Sequence, residues 1–270
     1  MSKERAKLPS ETPSKEASIA SKWLIPQWSE TPLNRITRKA VKKWVATELK
    51  ERPGMSPAYA HKIFSVFRIS MNKAVDEESL DASPCFKIEL PELRKKAKSY
   101  VSVENAAAMR PHFPEKASFY ADMIEFGLEV GMRPSELAGL RAHRIYRKRR
   151  KVLVTDVCTT RRKVVRSHRR DGDIHHVPLS AAALRIVDRR LDGRDADAGC
   201  GVDHLDGTDC KHPLVFVNTL GRPVNANMLS AQMRAAAENA EIGSKSGYAI
   251  RRGFATRTSR AARTRSPCSE

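Results

Sequence analysis

The sequence predicts a mainly α protein with a small antiparallel β-sheet, an α+β arrangement divided between two domains. Apolar residues recur with the helical period through most of the 270 residues. The exception runs from Ile145 to Leu179, where β-branched residues follow a period of two and predict strands. Pro84 and Pro91 bracket a short extended stretch that breaks the helical pattern and predicts a linker.

The charge of the chain is its most unusual property. Fifty Lys and Arg residues stand against 31 Asp and Glu residues, a formal net charge of +19. A polyanion relieves the self-repulsion of such a chain, which favours nucleic acid as the partner. We expect double-stranded DNA and no small-molecule substrate. The alternative is that the charge serves only solubility. No apolar stretch approaches a membrane span and no secretory leader is visible, so we expect a cytoplasmic protein that joins the nucleoid when bound to DNA.

Residues 1–16 are polar and predict a flexible tail, and residues 17–90 predict a helical DNA-binding domain. Thr37 is the expected N-cap of one helix, and Ser56 followed by Pro57 opens the next. Trp23, Trp28 and Trp44 are expected in the core. Basic residues on the outer faces are candidate DNA contacts: Lys39, Lys42, Lys43 and Lys62. The basic linker 91–100 adds three more: Arg94, Lys95 and Lys96.

Residues 101–256 predict the second domain. Ser102 should cap its first helix, and a strongly apolar helix should stop at Gly131 and restart after Pro134. The stretches "KVLVTDV", "KVVRS" and "IHHVPL" predict three strands of one antiparallel sheet, followed by helices at "SAAALRIVDRRL" and "NANMLSAQMRAAAENA". The hairpin carries further candidate contacts to the DNA backbone: Arg161, Arg162 and Lys163.

Three segments of the second domain, "GMRPSELAGL", "HHVPLS" and "YAIRRGFAT", occur in an order that resembles the catalytic domain of the tyrosine recombinase (phage integrase) family. The helical first domain resembles the core-binding domain of the same family. By eye the resemblance covers about 240 of the 270 residues. It implies site-specific DNA cleavage and rejoining, with neither a metal nor another cofactor.

The resemblance assigns Arg133 and Arg251 to a clamp on the DNA phosphate, with Glu136 orienting Arg133. Arginine suits this role because its charged, planar fork matches two phosphate oxygens. Tyr248 stands where the family usually has histidine, and tyrosine is a poor proton shuttle near neutral pH. Arg170 is the best match to the hairpin lysine of the family, but arginine does not readily give up a proton. The alternative for Arg133 is an ordinary surface arginine at a helix end.

Nineteen residues follow Arg251, and none of them is tyrosine, histidine or tryptophan. From Thr256 onward no apolar stripe remains, so residues 257–270 are expected to be an aberrant or disordered tail produced by a frameshift or truncation. The sequence therefore predicts a recombinase or integrase whose nucleophile is absent and whose catalysis is impaired. The alternative is a non-catalytic DNA-binding remnant that occupies recombination sites. Assembly into a homo-oligomer on DNA is an open expectation.

Two groups of histidines and cysteines need separate interpretation. Cys200, His204, Cys210 and His212 are typical zinc ligands, but their spacing matches no standard zinc finger. We therefore expect a surface loop and no metal. Five widely spaced cysteines also argue against a disulfide framework. His175 and His176 precede "VPL" and are expected on the surface of a strand.

Overall fold

The computed structural model describes residues 12–94, 97–159, 164–166, 174–207 and 210–263. The chain divides into two compact units, Met1–Lys96 and Ala97–Glu270. This division lies inside the predicted basic linker. The mainly α architecture with small antiparallel sheets confirms the predicted fold class.

Every secondary-structure element of the first unit is helical in its described residues. Its elements are α1 (Thr12–Ile19), a π-helical stretch (Ala20–Leu24), α2 (Ile25–Trp28), a 3₁₀ turn (Leu33–Arg35), α3 (Arg38–Trp44), a second π-helical stretch (Val45–Lys50) and α4 (Pro57–Asp76). Both predicted caps are confirmed: Thr37 accepts from the amide of Ala40 at 3.3 Å, and Ser56 accepts from that of Tyr59 at 3.3 Å. Helix α1 begins at Thr12, inside the segment predicted to be a flexible tail.

Aromatic side chains form the centre of this first core. The rings of Trp28, Trp44 and Phe67 lie 5.1 to 5.7 Å apart by their centroids. Trp23 lies at the edge of the cluster and donates a hydrogen bond to the hydroxyl of Tyr59 at 3.1 Å. The polar faces of α3 and α4 carry exposed lysines: Lys39, Lys42, Lys43 and Lys62.

The second unit surrounds a separate apolar core. Its helices are α5 (Val103–Met109), α6 (Phe119–Val130), α7 (Pro134–Ala138), α8 (Ala181–Leu191), α9 (Ala226–Asn239) and α10 (Gly247–Arg263), with 3₁₀ turns at Arg110–His112, Glu115–Ala117 and Ala142–Arg144. Its strands are β1 (Ile145–Tyr146), β2 (Lys151–Val154), β3 (Val157–Cys158), β4 (Val165–Arg166) and β5 (His175–Pro178). Ser102 and Asn105 cap α5 reciprocally, as a capping box does.

The strands form two sheets, so the prediction of one three-stranded sheet was wrong. One sheet has the order β1-β2-β5 and the other pairs β3 with β4, each antiparallel. The stretch "KVLVTDV" is divided at Thr155 and Asp156, because the buried Asp156 side chain is held by Arg141 and Arg144. The strand from "KVVRS" therefore pairs with Val157–Cys158 and does not join the sheet of "IHHVPL".

Helix α10 packs against α6 through two glycines. Ile250 lies over Gly127, where an added Cβ would come within 2.7 Å of its Cγ2 atom. Phe254 lies over Gly131, where φ is +65° and a Cβ would overlap the ring. Two consecutive turns of α10 thus use glycine to bring the helices close together.

The prediction of a disordered tail was wrong for residues 257–263, because α10 continues to Arg263. Arg257 explains part of this extension: it donates to Glu129 at 2.7 Å and to the carbonyl of Leu128 at 2.9 Å, both on α6. Charged and polar contacts extend the helix where apolar residues are lacking. In the part of the chain that the structure describes, no helix is long and apolar enough to cross a membrane.

Candidate functional site

The turn between α6 and α7 holds Arg133 in a defined position. Helix α6 ends at Gly131 in the left-handed region, and α7 restarts at Pro134. Glu136, only 2% exposed, accepts from the Arg133 amide at 2.7 Å and from its Nη1 at 2.8 Å. The Arg133 side chain is 38% exposed. The carboxylate therefore fixes both the backbone and the guanidinium of Arg133, the geometry expected from the sequence.

Arg251 reaches the same turn from the beginning of α10. Its Nη1 donates to the carbonyl of Gly131 at 2.8 Å, across 120 positions of sequence. The packing of α10 on Gly127 and Gly131 brings the two segments together. The fold thus places the two arginines of the expected clamp around one short turn.

A cleft of about 410 Å³ opens beside this turn. It is lined by Arg251, Glu136, both histidines of β5 and apolar or hydroxyl side chains of α10. His175 pairs with Val154 and His176 with Leu153 across the sheet, and this pairing sets the end of β5 against the cleft. The sequence interpretation placed these histidines on an ordinary strand surface and missed this proximity. Their position directly before "VPL", at the end of the hairpin, was the available signal.

Other expected site residues are less closely associated with the cleft. Tyr248 lies one turn before Arg251 and is 58% exposed. Neither Tyr248 nor Arg133 is among the residues that line the cleft. Arg94 is exposed in the first unit. The remaining candidates lie outside the described residues: Lys95, Lys96, Arg161, Arg162, Lys163 and Arg170.

Other arginines of the second unit are bound to buried carboxylates. Arg141 donates two hydrogen bonds of 2.8 Å to Asp156, and Arg144 donates two more, of 3.1 and 3.4 Å. Burial would raise the pKa of Asp156, but these hydrogen bonds hold its pKa below the ordinary value. Asp122, on α6, forms ion pairs with three arginines in the same way: Arg110, Arg189 and Arg190. These arginines therefore stabilise the fold.

His143 lies between Arg141 and Arg144 on a 3₁₀ turn. Burial, and then the charges of Arg144 and Arg141, lower its pKa from 6.5 to about 4. Its ring stacks on that of His212 with the centroids 4.2 Å apart. His212 is thus in a ring stack, while Cys200, His204 and Cys210 form a separate cluster.

The comparisons with known proteins agree with this architecture. The Tn1549 transposon integrase, solved in complex with transposon right end DNA, superposes with a TM-score of 0.77 at 16% identity, covering 96% of this chain and 84% of that one. A lambda integrase dimer bound to a COC′ core site gives a TM-score of 0.67 at 13% identity, covering 93% and 83%. No curated protein sequence matches this chain significantly.

The sequence pattern of the phage integrase family matches residues 103–263, which is more than half of the chain. The chain therefore belongs to the phage integrase family, the tyrosine recombinases, as its motifs predicted.

Proposed function

We propose that this protein binds duplex DNA at recombination sites and holds one backbone phosphate with Arg133 and Arg251. The observation that carries the proposal is the convergence of both arginines on the Gly131–Glu136 turn. The integrases that share the fold were solved on DNA, which supports the same class of partner here. The net charge of +19 supports it independently.

The arrangement suits a phosphate for two reasons. Glu136 is buried and bonded to Arg133, so the guanidinium is oriented before DNA arrives and loses little freedom on binding. Arg251 is exposed at the start of α10 and borders the open cleft. The two guanidinium groups would meet the charge on the non-bridging oxygens of a phosphate bound at the turn beside the cleft.

His175 and His176 add two hydrogen-bonding groups to the cleft in this proposal. Both imidazoles line the cleft with Arg251. Either imidazole N–H could therefore donate a hydrogen bond to an oxygen of the bound DNA backbone.

Strand cleavage would need a tyrosine at the phosphate, and the 270 residues contain five. Tyr59 is hydrogen bonded in the first core and Tyr120 is buried in the second. Tyr100 precedes α5, Tyr146 lies on β1, and Tyr248 stands before the second arginine. None of these positions matches a nucleophile that follows Arg251 in the family. We propose that the 270-residue polypeptide binds DNA without cleaving it.

A nicked duplex that carries a candidate attachment site tests both DNA binding and strand cleavage. The nick is placed so that a cleaved strand cannot rejoin. We expect a mobility shift that weakens as salt rises, and no SDS-resistant protein–DNA adduct. The absence of a shift at low salt would overturn the DNA-binding proposal. An adduct would overturn the non-cleaving proposal, and Tyr248→Phe would show whether that hydroxyl had formed the bond.

Assembly on DNA belongs to the same proposal. Lambda integrase was solved as a dimer on a core site and as a tetramer on a Holliday junction. We propose that this chain also forms a homo-oligomer on DNA and resides with the nucleoid. Analytical ultracentrifugation with a duplex of one and of two half-sites tests this. A single protomer on the longer duplex at saturation would contradict it.

A further inference from the structure

The segment between α8 and Leu214 brings together three potential metal ligands. The sulfurs of Cys200 and Cys210 and a ring nitrogen of His204 all lie within 4.8 Å of one another. The Cys200 sulfur is 3.1 Å from His204 Nε2. Cys200 is 3% exposed and His204 is 8% exposed. This cluster is far in the sequence from the arginine turn, and the proposed DNA binding does not use it.

Ordinary packing does not account for the buried histidine. His204 Nδ1 is buried, and among the described residues it has no hydrogen-bond partner. The ring therefore makes its polar contact through Nε2, on the side of Cys200. This buried imidazole contacts a sulfur through one nitrogen and has no hydrogen-bond partner at the other. Binding of a metal ion together with that sulfur explains this better than ordinary packing in the core does.

The backbone holds the three donors from different directions. Gly199 has φ of +55°, and a Cβ there would lie 2.5 Å from the carbonyl oxygen of Cys210. This glycine therefore allows the two cysteine segments to approach each other. His204 is fixed by its neighbours, since Val165 donates to Asp203 and accepts from Leu205, each at 2.9 Å. The segment thus continues the sheet of β3 and β4 by a parallel bridge.

Arg141 holds the sulfur of Cys210 in position. Its Nη1 lies 3.5 Å from Cys210 Sγ, while its other nitrogens hold Asp156. The Asp156 carboxylate compensates the arginine charge, so a cation can approach the sulfur.

We propose that Cys200, His204 and Cys210 bind one zinc ion. Two thiolates and one imidazole are a ligand set that zinc accepts, and it leaves the fourth tetrahedral position to water. A depression of about 520 Å³ borders all three residues and gives solvent access to that position. The ion fixes the loop to β4. The sequence spacing of the three ligands is set by this loop, and it therefore differs from the spacing in a standard zinc finger.

Zinc binding can be measured on the whole chain without DNA. The reduced protein is stripped with a chelator, incubated with zinc alone and passed through a desalting column. We expect about one zinc per chain for the wild type. In a parallel sample, Co²⁺ should give the intense visible absorption of a tetrahedral thiolate complex. Zinc retained at well below one per chain, or cobalt spectra without thiolate bands, would overturn the proposal.

Variants test the three ligands individually. We expect Cys200→Ser, Cys210→Ser and His204→Ala each to weaken zinc binding about tenfold or more, because each removes a direct ligand. Cys85→Ser, which changes a buried cysteine of the first unit, is the matched control and should retain the ion. Wild-type stoichiometry and affinity in all three cluster variants would contradict the assignment.

A measurement on the unmutated chain guards against variants that fail to fold. Zinc should slow the alkylation of Cys200 and Cys210 at least severalfold, as read by mass spectrometry of the peptides. Equal rates with and without zinc would overturn the proposal. So would a Cys200–Cys210 disulfide that persists under reducing conditions, because a disulfide removes both thiolates.

Discussion

Two sets of arginines in the second unit have opposite environments. The Arg141 side chain is 9% exposed and is bonded at both ends of its fork to the buried Asp156. Arg133 is 38% exposed and Arg251 is exposed, and both border a turn beside an open cleft. The same residue type therefore stabilises the fold in one set and presents positive charge in the other.

The difference shows how a strongly basic chain can divide its charge. Asp156 binds two arginines and Asp122 binds three, so each carboxylate offsets part of their charge and ties their side chains to the fold. The Arg133 orientation depends on a carboxylate too, but that carboxylate lies behind it and leaves the side chain partly exposed. Counting arginines in the sequence does not separate these roles; the exposure of the arginine side chain does, at 9% for Arg141 and 38% for Arg133.

The largest loss of stability should come from removing the carboxylate that the buried arginines share. Asp156→Ala leaves Arg141 and Arg144 without their shared carboxylate, and we expect the free energy of unfolding to fall by about 3–5 kcal/mol. Urea denaturation measures it. Asp188→Ala is the control, because Asp188 pairs with Arg147 on the surface and should cost less than about 1 kcal/mol. Equal losses in both variants would remove the distinction between the two sets.

A smaller loss should follow from separating α10 from α6. Gly131→Ala adds a Cβ at a positive φ and against the Phe254 ring, so we expect a loss of about 2–4 kcal/mol. Because Arg251 reaches the turn through this packing, DNA affinity should fall as well. Gly193→Ala has a similar φ but open space around it, and should cost only about 1 kcal/mol. Unchanged DNA affinity in folded Gly131→Ala would show that this packing does not position Arg251.

The burial of His143 beside Arg144 and Arg141 should also be visible in the pH dependence of stability. The pKa of His143 falls from 6.5 to about 4 on folding, so the unfolded chain takes up the proton first as pH decreases. The stabilisation is complete above about pH 6.5 and is lost as pH falls towards 4, by at most about 3 kcal/mol. His143→Gln should flatten this part of the profile in urea denaturation measured from pH 7.5 to 4.5. A variant profile parallel to that of the wild type would contradict the assignment.

The sequence predicted the helices and the caps because each depends on local signals, and it predicted the family because that depends on motif order. Thr37, Ser56 and Ser102 act through neighbouring amides, and Gly131 ends its helix with a positive φ. The division of the sheets was not predictable in this way. It depends on the burial of Asp156 by arginines twelve and fifteen positions earlier.

The remaining surprises depend on contacts distant in sequence. The extension of α10 depends on Arg257 reaching α6, and the place of His175 at the cleft depends on its pairing with Val154. The cysteine and histidine cluster depends on a loop closed by Gly199 and by Val165 of another sheet. A one-dimensional pattern contains none of these distances.

The central claim is that Arg133 and Arg251 hold a DNA phosphate, and the salt dependence of duplex binding tests it most directly. The slope of log K against log salt should decrease in magnitude by about 0.9 for each phosphate contact that a variant loses. Arg251→Ala and Arg133→Ala should each lower affinity and flatten this slope. Arg147→Ala, which removes a surface arginine of the same unit that pairs with Asp188, should leave both nearly unchanged. Equal slopes for all three variants and the wild type would contradict the account.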